Sequence, residues 1–219
     1  MVSLFTDRRM LDHLTPPRHP ERPERLEAIL RHLERTGLAA SCPAGTVRAA
    51  TDAELERVHA RSYVENITTL EPKCTTQVES DTWVSSGSLL AARLAAGAAV
   101  EAVNWVSAEP GRRAMCLVRP PGHHARAEQP MGFCLFGNVA VAAAEARDKL
   151  KIERLLIVDF DVHHGNGTQE MFYLDSRVAF LSIHRYPFYP GTGAADETGA
   201  GAGLGRTKNV PVAFGTSRA

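Results

Sequence analysis

Residues 155–167 read Leu-Leu-Ile-Val-Asp-Phe-Asp-Val-His-His-Gly-Asn-Gly: an unbroken apolar run that ends in carboxylates and imidazoles. A short run rich in Ile and Val, without polar alternation, predicts a parallel strand buried on both faces. In an extended chain Asp159, Asp161 and His163, at i, i+2 and i+4, leave on the same side. Carboxylates crowded at a strand end repel each other unless something positive lies between them. Carboxylate oxygen and imidazole nitrogen together suit zinc. An ion-pair network would account for an isolated Asp-x-Asp, but His163, His164 and Gly165-Asn166-Gly167 beside it favour a metal site.

Two further apolar runs behave alike. Residues 114–118 lead into Arg119-Pro120-Pro121-Gly122-His123-His124, and residues 178–183 end at Ser182, Ile183 and His184. Between and before them lie helical patterns. Pro23 opens one through about Thr36, with Leu26, Ile29, Leu30 and Leu33 on one face. Thr51-Asp52-Ala53-Glu54 forms a capping box for another, with Leu55, Val58 and Tyr63 inward. Residues 85–106 and 138–150 are Ala-rich helices, and a short helix is expected over 168–173. Strands are also expected over 2–5 and 209–212, and the rest of 185–219 is Gly/Pro-rich loop. Strand and helix in alternation imply a parallel sheet with helices on both faces. Ligands bind such sheets beyond the carboxyl ends of the strands, where all three runs place polar residues. No linker or repeat divides residues 1–219, which are read as one domain.

The 25 basic and 25 acidic side chains cancel, so no electrostatic footprint for nucleic acid or an anionic membrane is expected. Cys42, Cys74, Cys116 and Cys134 lack Cys-x-x-Cys spacing and suit a reducing compartment. The N-terminus carries no apolar signal core. Residues 89–106 contain Arg93, Glu101 and Asn104 and read as too polar to span a bilayer. A cytoplasmic protein is expected; the sequence leaves its oligomeric state open. The paired His123 and His124 can provide the base and acid of a hydrolysis, provided that their environments differ. Asp159 and Asn166 are the partners available to make them differ.

Several of these segments carry a resemblance. Arg119-Pro-Pro-Gly-His-His-Ala125, Met131-Gly-Phe-Cys134 with Asn138, Asp159 through Gln169, Ser182-Ile-His184 through Tyr189-Pro-Gly-Thr-Gly193, and His19-Pro-Glu-Arg-Pro-Glu-Arg25 resemble the histone deacetylase family, class II-like. That family includes acetylpolyamine deacetylases. The resemblance implies the arginase/deacetylase fold, a three-layer parallel α/β architecture, and a zinc-dependent amide hydrolase. The substrate would be acetyl-lysine of a protein or an acetylated polyamine. It further implies Asp161 and His163 as zinc ligands, His123 paired with Asp159, and His124 paired with Asn166 as the principal acid and base. Gly132 and Phe133 would line an acyl-lysine tunnel opposite Tyr189, with Arg25 near an inner channel. Asp159, Ser182 and Ile183, with the backbone of Asp161 and His163, would hold a structural potassium ion.

The family's third zinc ligand, an Asp in a downstream strand, and its later Gly-Gly-Tyr segment have no counterpart here. After Ser182 the only acids are Asp196 and Glu197, in a Gly-rich loop, and they read as solvated. The chain is therefore expected to be an N-terminal portion of a deacetylase, with the C-terminal part missing and no turnover by itself. Other readings are a degenerate, non-catalytic module of this fold and a dinuclear manganese hydrolase, against which the Arg-Pro-Pro-Gly-His-His loop argues.

Overall fold

The computed structural model describes residues 1–70 and 72–216. In chain order the elements are β1 (Val2–Phe5), α1 (Pro23–Arg35), α2 (Leu38–Ser41), α3 (Asp52–Leu55), α4 (Arg61–Thr68), β2 (Thr76–Gln77), β3 (Trp83–Val84), α5 (Ser88–Ser107), β4 (Arg113–Cys116), α6 (Asn138–Asp148), β5 (Leu155–Asp159), α7 (Asn166–Phe172), β6 (Val178–Arg185) and β7 (Thr207–Val212). β1 and β4 pair in parallel, as do β5, β6 and β7 in that order, and β2 with β3 makes a small antiparallel hairpin. The expected loop at the C-terminus is described as far as Thr216; residues 217–219 lie outside the described residues.

Register sets which side chains share a face. Leu155 lies beside Val178, Ile157 beside Phe180 and Asp159 beside Ser182. Phe180 and Ser182 in turn lie beside Thr207 and Asn209. This inner face packs on α6 and α7 through Ala140, Ala143 and Phe172. Burying an aliphatic or aromatic side chain of this kind stabilises the fold by about 1.5–3 kcal/mol. The outer face differs from expectation: Leu156 is 66% and Val158 47% exposed, so β5 is buried on one face and not on both. An apolar run fixes the presence of a strand, but what covers each face is a tertiary property.

α5 is the central helix, packed on α6, β4 and β1. Its alanines allow close approach, and Gly97 is required: a Cβ there would lie 1.9 Å from the Arg48 carbonyl oxygen. By length and hydropathy α5 passes for a membrane span, contrary to the reading of residues 89–106 as too polar, yet it buries Ala91, Leu94, Ala98 and Val100 inside the fold as a core helix does. α1 begins at Pro23 as expected, and Leu26 is buried, but Ile29 is 44% exposed. The Thr51 cap forms, with Thr51 N–H donating to Glu54 Oε2 at 2.8 Å and Glu54 N–H to Thr51 Oγ1 at 3.3 Å. The helix it opens stops at Leu55, and Tyr63 belongs to a separate α4. The break delivers His59 inward, where its Nδ1 donates to Arg126 O and its Nε2 accepts from Gly137 N–H, each at 3.0 Å. Burial, the main influence, pulls that ring down to about 4 and keeps it neutral.

Candidate active site

The chain leaves β4 through Arg119 into the His123–His124 loop, and leaves β5 through Asp159 into residues 160–165. Both exits lie at the carboxyl ends of parallel strands, where such sheets carry their ligands. The loop after β5 is not extended. Asp159 Oδ1 accepts from Asp161 N–H at 3.1 Å, and Asp161 Oδ1 accepts from His163 N–H at 2.8 Å. These local bonds bend the chain. Asp159, Asp161 and His163 therefore do not act as one set on one side: Asp159 backs onto His123, while Asp161 and His163 line a cleft.

That cleft has a volume of about 360 Å³, and its walls include His123, His124, Gly132, Phe133, Asp161, His163 and Tyr189. His123 Nδ1–H donates to Asp159 Oδ2 at 2.9 Å, and His124 Nδ1–H donates to Asn166 Oδ1 at 2.7 Å. The two rings lie 3.9 Å apart, centroid to centroid, so they differ in partner and not in place. Burial, helped by the adjoining His123 ring and only partly opposed by the Asn166 bond, holds His124 down at about 4. Burial pushes the Asp159 carboxyl up, but its bond to His123 and the Asp161 N–H outweigh that and leave it lowered.

Gly132 and Phe133 both hold positive φ, 57° and 69°. A Cβ at Gly132 would lie 2.3 Å from His124 Cδ2, so glycine is needed for both reasons. Two bonds clamp this strained pair: Gly132 N–H donates to Asp81 Oδ1 and Phe133 N–H to Thr82 Oγ1, each at 3.0 Å. Tyr189 stands edge-on to His124 at 5.2 Å and to His163 at 5.7 Å. Burial and the nearby Asp81 carboxylate raise its phenol well above the ordinary value. Phe133 meets His19 edge-on at 4.7 Å. Arg25 reaches the cleft wall with its guanidinium mostly exposed, 3.9 Å from Glu21.

Asp161 Oδ1 and His163 Nδ1 converge to 3.2 Å on the cleft wall. A carboxylate oxygen and an imidazole nitrogen so placed fit zinc as two of the three protein ligands usual in a catalytic site. Among the described residues no group of three His, Cys, Asp or Glu side chains is gathered to hold a metal. Asp159 and Ser182 are register neighbours on β5 and β6. His184 Nε2–H donates to Gly193 O at 3.0 Å, so Ser182 donates its hydroxyl proton to His184 Nδ1 at 2.9 Å and keeps its lone pairs free. Oxygen-only donors of this kind suit a hard cation.

Of the two loop acids read as solvated, Asp196 is exposed, but Glu197 is not free in solvent. Its Oε1 accepts from Gly193 N–H and Ala194 N–H, each at 2.9 Å, and its Oε2 from Gln169 Nε2 at 2.6 Å. Gln169 Oε1 accepts from His164 and Asn209 at 3.0 and 2.8 Å. This web holds the 189–194 loop that presents Tyr189, and puts Glu197 to structural use. Sequence reasoning also missed Glu21, Arg119, His13, Asp81 and His59. Only the Pro-flanked Glu21 and the Arg preceding Pro120-Pro121 gave any local hint.

Comparison with known proteins follows the same lines. The family model described as Histone deacetylase domain matches residues 19–219. Histone deacetylase 15 of Arabidopsis thaliana is 42% identical over 217 residues, covering 95% of this chain and 39% of the relative. Histone deacetylase clr3 of Schizosaccharomyces pombe is 39% identical over 231 residues, covering 95% of this chain and 34% of the relative. The crystal structure of the HDA15 HD domain superposes with a TM-score of 0.91 at 42% identity, covering 96% of this chain and 61% of that one. The chain thus spans less than half the length of these curated relatives.

Proposed function

This chain belongs to the histone deacetylase family, and on that premise we propose that it forms the acid–base and metal-binding part of a zinc-dependent amide hydrolase that removes acetyl groups from acetyl-lysine. The observation that carries the reading is the unequal pairing of two adjoining imidazoles, tilted at 42° to each other, one on a carboxylate and one on an amide, at 2.9 and 2.7 Å.

Asp161 and His163 would hold the zinc. Bound there, it would supply polarisation of the acetyl carbonyl and activation of the attacking water. His124, kept neutral near pH 7, takes the water proton at Nε2 and returns it to the departing lysine amine. Its Nδ1–H bond to Asn166 fixes that tautomer. His123, held on the Asp159 carboxylate, acts electrostatically. Phe133 and Tyr189 flank the lysine methylenes and exclude water from them. Asp159, Ser182, the Ile183 carbonyl and the backbone carbonyls of Asp161 and His163 would hold a potassium ion that stiffens the loop after β5.

A second reading, a deacetylase-fold module without turnover of its own, is favoured by the donor count: Asp161 and His163 are two ligands where catalytic sites use three. Acetate release from an acetyl-lysine peptide and from an acetylated polyamine, measured beside zinc content, separates the readings. Release that requires zinc and His124 supports the hydrolase, and the faster substrate identifies the class. Zinc-loaded protein that binds the peptide without releasing acetate selects the second.

A further inference from the structure

Beneath the cleft lies an ionic network that no step above uses. Arg119 is 1% exposed and Glu21 2%. Arg119 Nε donates to Glu21 Oε1 and Nη2 to Glu21 Oε2, both at 2.8 Å, and Nη1 donates to Met10 O at 2.8 Å. Each guanidinium nitrogen is thereby engaged, and the pair to Glu21 has the two-pronged, charge-assisted geometry that Arg provides and Lys does not. On its far side Glu21 Oε2 lies 3.4 Å from His13 Nε2, and His13 Nδ1 lies 2.6 Å from Ser88 Oγ on α5. Burial raises the Glu21 carboxyl, but His13 and Arg119 outweigh it and hold it at about 2, ionised at every ordinary pH.

The position of this network gives it meaning. Arg119 is four residues before His123, and Glu21 itself lines the cleft beside Pro121 and His123. The intervening turn is seated on α6: Asn138 Nδ2 donates to Pro120 O at 3.1 Å, and a Cβ on Gly122 would lie 2.6 Å from Asn138 N. The turn is thus fixed from the far side by α6 and from the near side by Arg119. Among the described residues no hydrogen bond or ion pair joins Glu21 to His123 or His124, so its influence passes through that turn.

We infer that Glu21 is a positioning residue: through Arg119 it sets the height of the His123–His124 turn, so that both Nδ1 protons meet Asp159 and Asn166. The inference rests on the reading of His123 and His124 as the acid–base pair. It predicts that loss of the Glu21 carboxylate misplaces both rings while leaving distant parts of the fold in register. A buried ion pair that served stability alone would lower the melting temperature and leave ring pairing in the surviving folded molecules unchanged.

The test is the ring ¹⁵N and Nδ1–H resonances of His123 and His124 in the 219-residue chain, recorded for wild type, Glu21→Ala, Glu21→Gln and Ile67→Ala. Ile67, buried on α4 in a separate cluster, supplies a fall in melting temperature of a similar kind without touching the turn. The expected result is loss or fast exchange of both Nδ1–H signals in the Glu21 variants, at least tenfold faster than in wild type, and their retention in Ile67→Ala. Should Glu21→Ala fail to fold, Glu21→Gln decides, since it keeps the side-chain shape and removes the charge. Wild-type-like signals in the folded Glu21 variants, or equal loss in Ile67→Ala, overturn the inference. The readout is independent of hydrolysis: rings that respond in a zinc-loaded protein that binds the peptide and releases no acetate leave the positioning role intact and select the module without turnover. Rings that do not respond in a protein that hydrolyses refute only the positioning role.

Discussion

His124 donates its Nδ1 proton to the amide oxygen of Asn166 across 2.7 Å, and that one bond leaves Nε2 as the basic nitrogen facing the cleft. In any form of the protein that turns over acetyl-lysine, His124→Ala should therefore lower hydrolysis on the order of a hundredfold or more, as for the loss of a general acid–base group. Asn166→Asp places a negative neighbour on the same nitrogen and raises the His124 pKa. The base must be neutral to act, so a higher pKa moves the rising limb of the pH–rate profile to higher pH. A profile that Asn166→Asp leaves in place would remove His124 from the role of base.

Phe133 is held at φ 69° with its N–H on Thr82 and its ring against His19. If it flanks the substrate chain, Phe133→Ala raises KM several-fold and leaves zinc content alone. If it is only a packing residue, the melting temperature falls and KM does not move. Measuring both in one variant separates the roles.

The depressed Glu21 carboxyl ties stability to pH. A carboxyl held at about 2 against an ordinary value of 4.5 contributes stability that is complete above the ordinary value and is lost as pH falls toward 2. The midpoint of urea unfolding should fall over that window in wild type, and much less in Glu21→Gln. At neutral pH, Glu21→Ala should cost about 3–5 kcal/mol, because it strands the buried Arg119 charge.

The sequence displayed the strands and the His pair because both are local. Apolar runs and clustered imidazoles are read within ten residues. Spacing alone put Asp159 on one side with Asp161 and His163; the resemblance already separated them, and the cause lies in two backbone bonds that bend the chain after β5. The sequence did not show Glu21 with Arg119, partners 98 residues apart with no spacing rule to connect them. The exposure of Leu156 and Val158 was equally hidden, since a run of five apolar residues looks the same whether one face or two are covered. The use of Glu197 was missed because its partners are the backbone of its own loop and a helix 28 residues earlier.

The outer face of β5 has a consequence in solution. Leu156 and Val158 on that face and Phe160 just past the end of β5 are 66, 47 and 85% exposed, an apolar patch open to solvent. Such patches drive association. The 219-residue chain should self-associate with rising concentration, and Leu156→Lys combined with Val158→Lys should return it toward monomer. Light scattering coupled to size exclusion reads this out; an association state indifferent to both substitutions would place the contact elsewhere.

Asp161 and His163 are proposed to hold the metal that faces the His pair. Zinc titration of the 219-residue chain, with wild type beside Asp161→Ala, His163→Ala and His123→Ala, tests this most directly. Wild type should bind one zinc per chain, more weakly than a three-ligand site does. Binding should be abolished by Asp161→Ala and by His163→Ala, and retained in His123→Ala. Stoichiometric zinc in Asp161→Ala at wild-type affinity would show that Asp161 is not a zinc ligand.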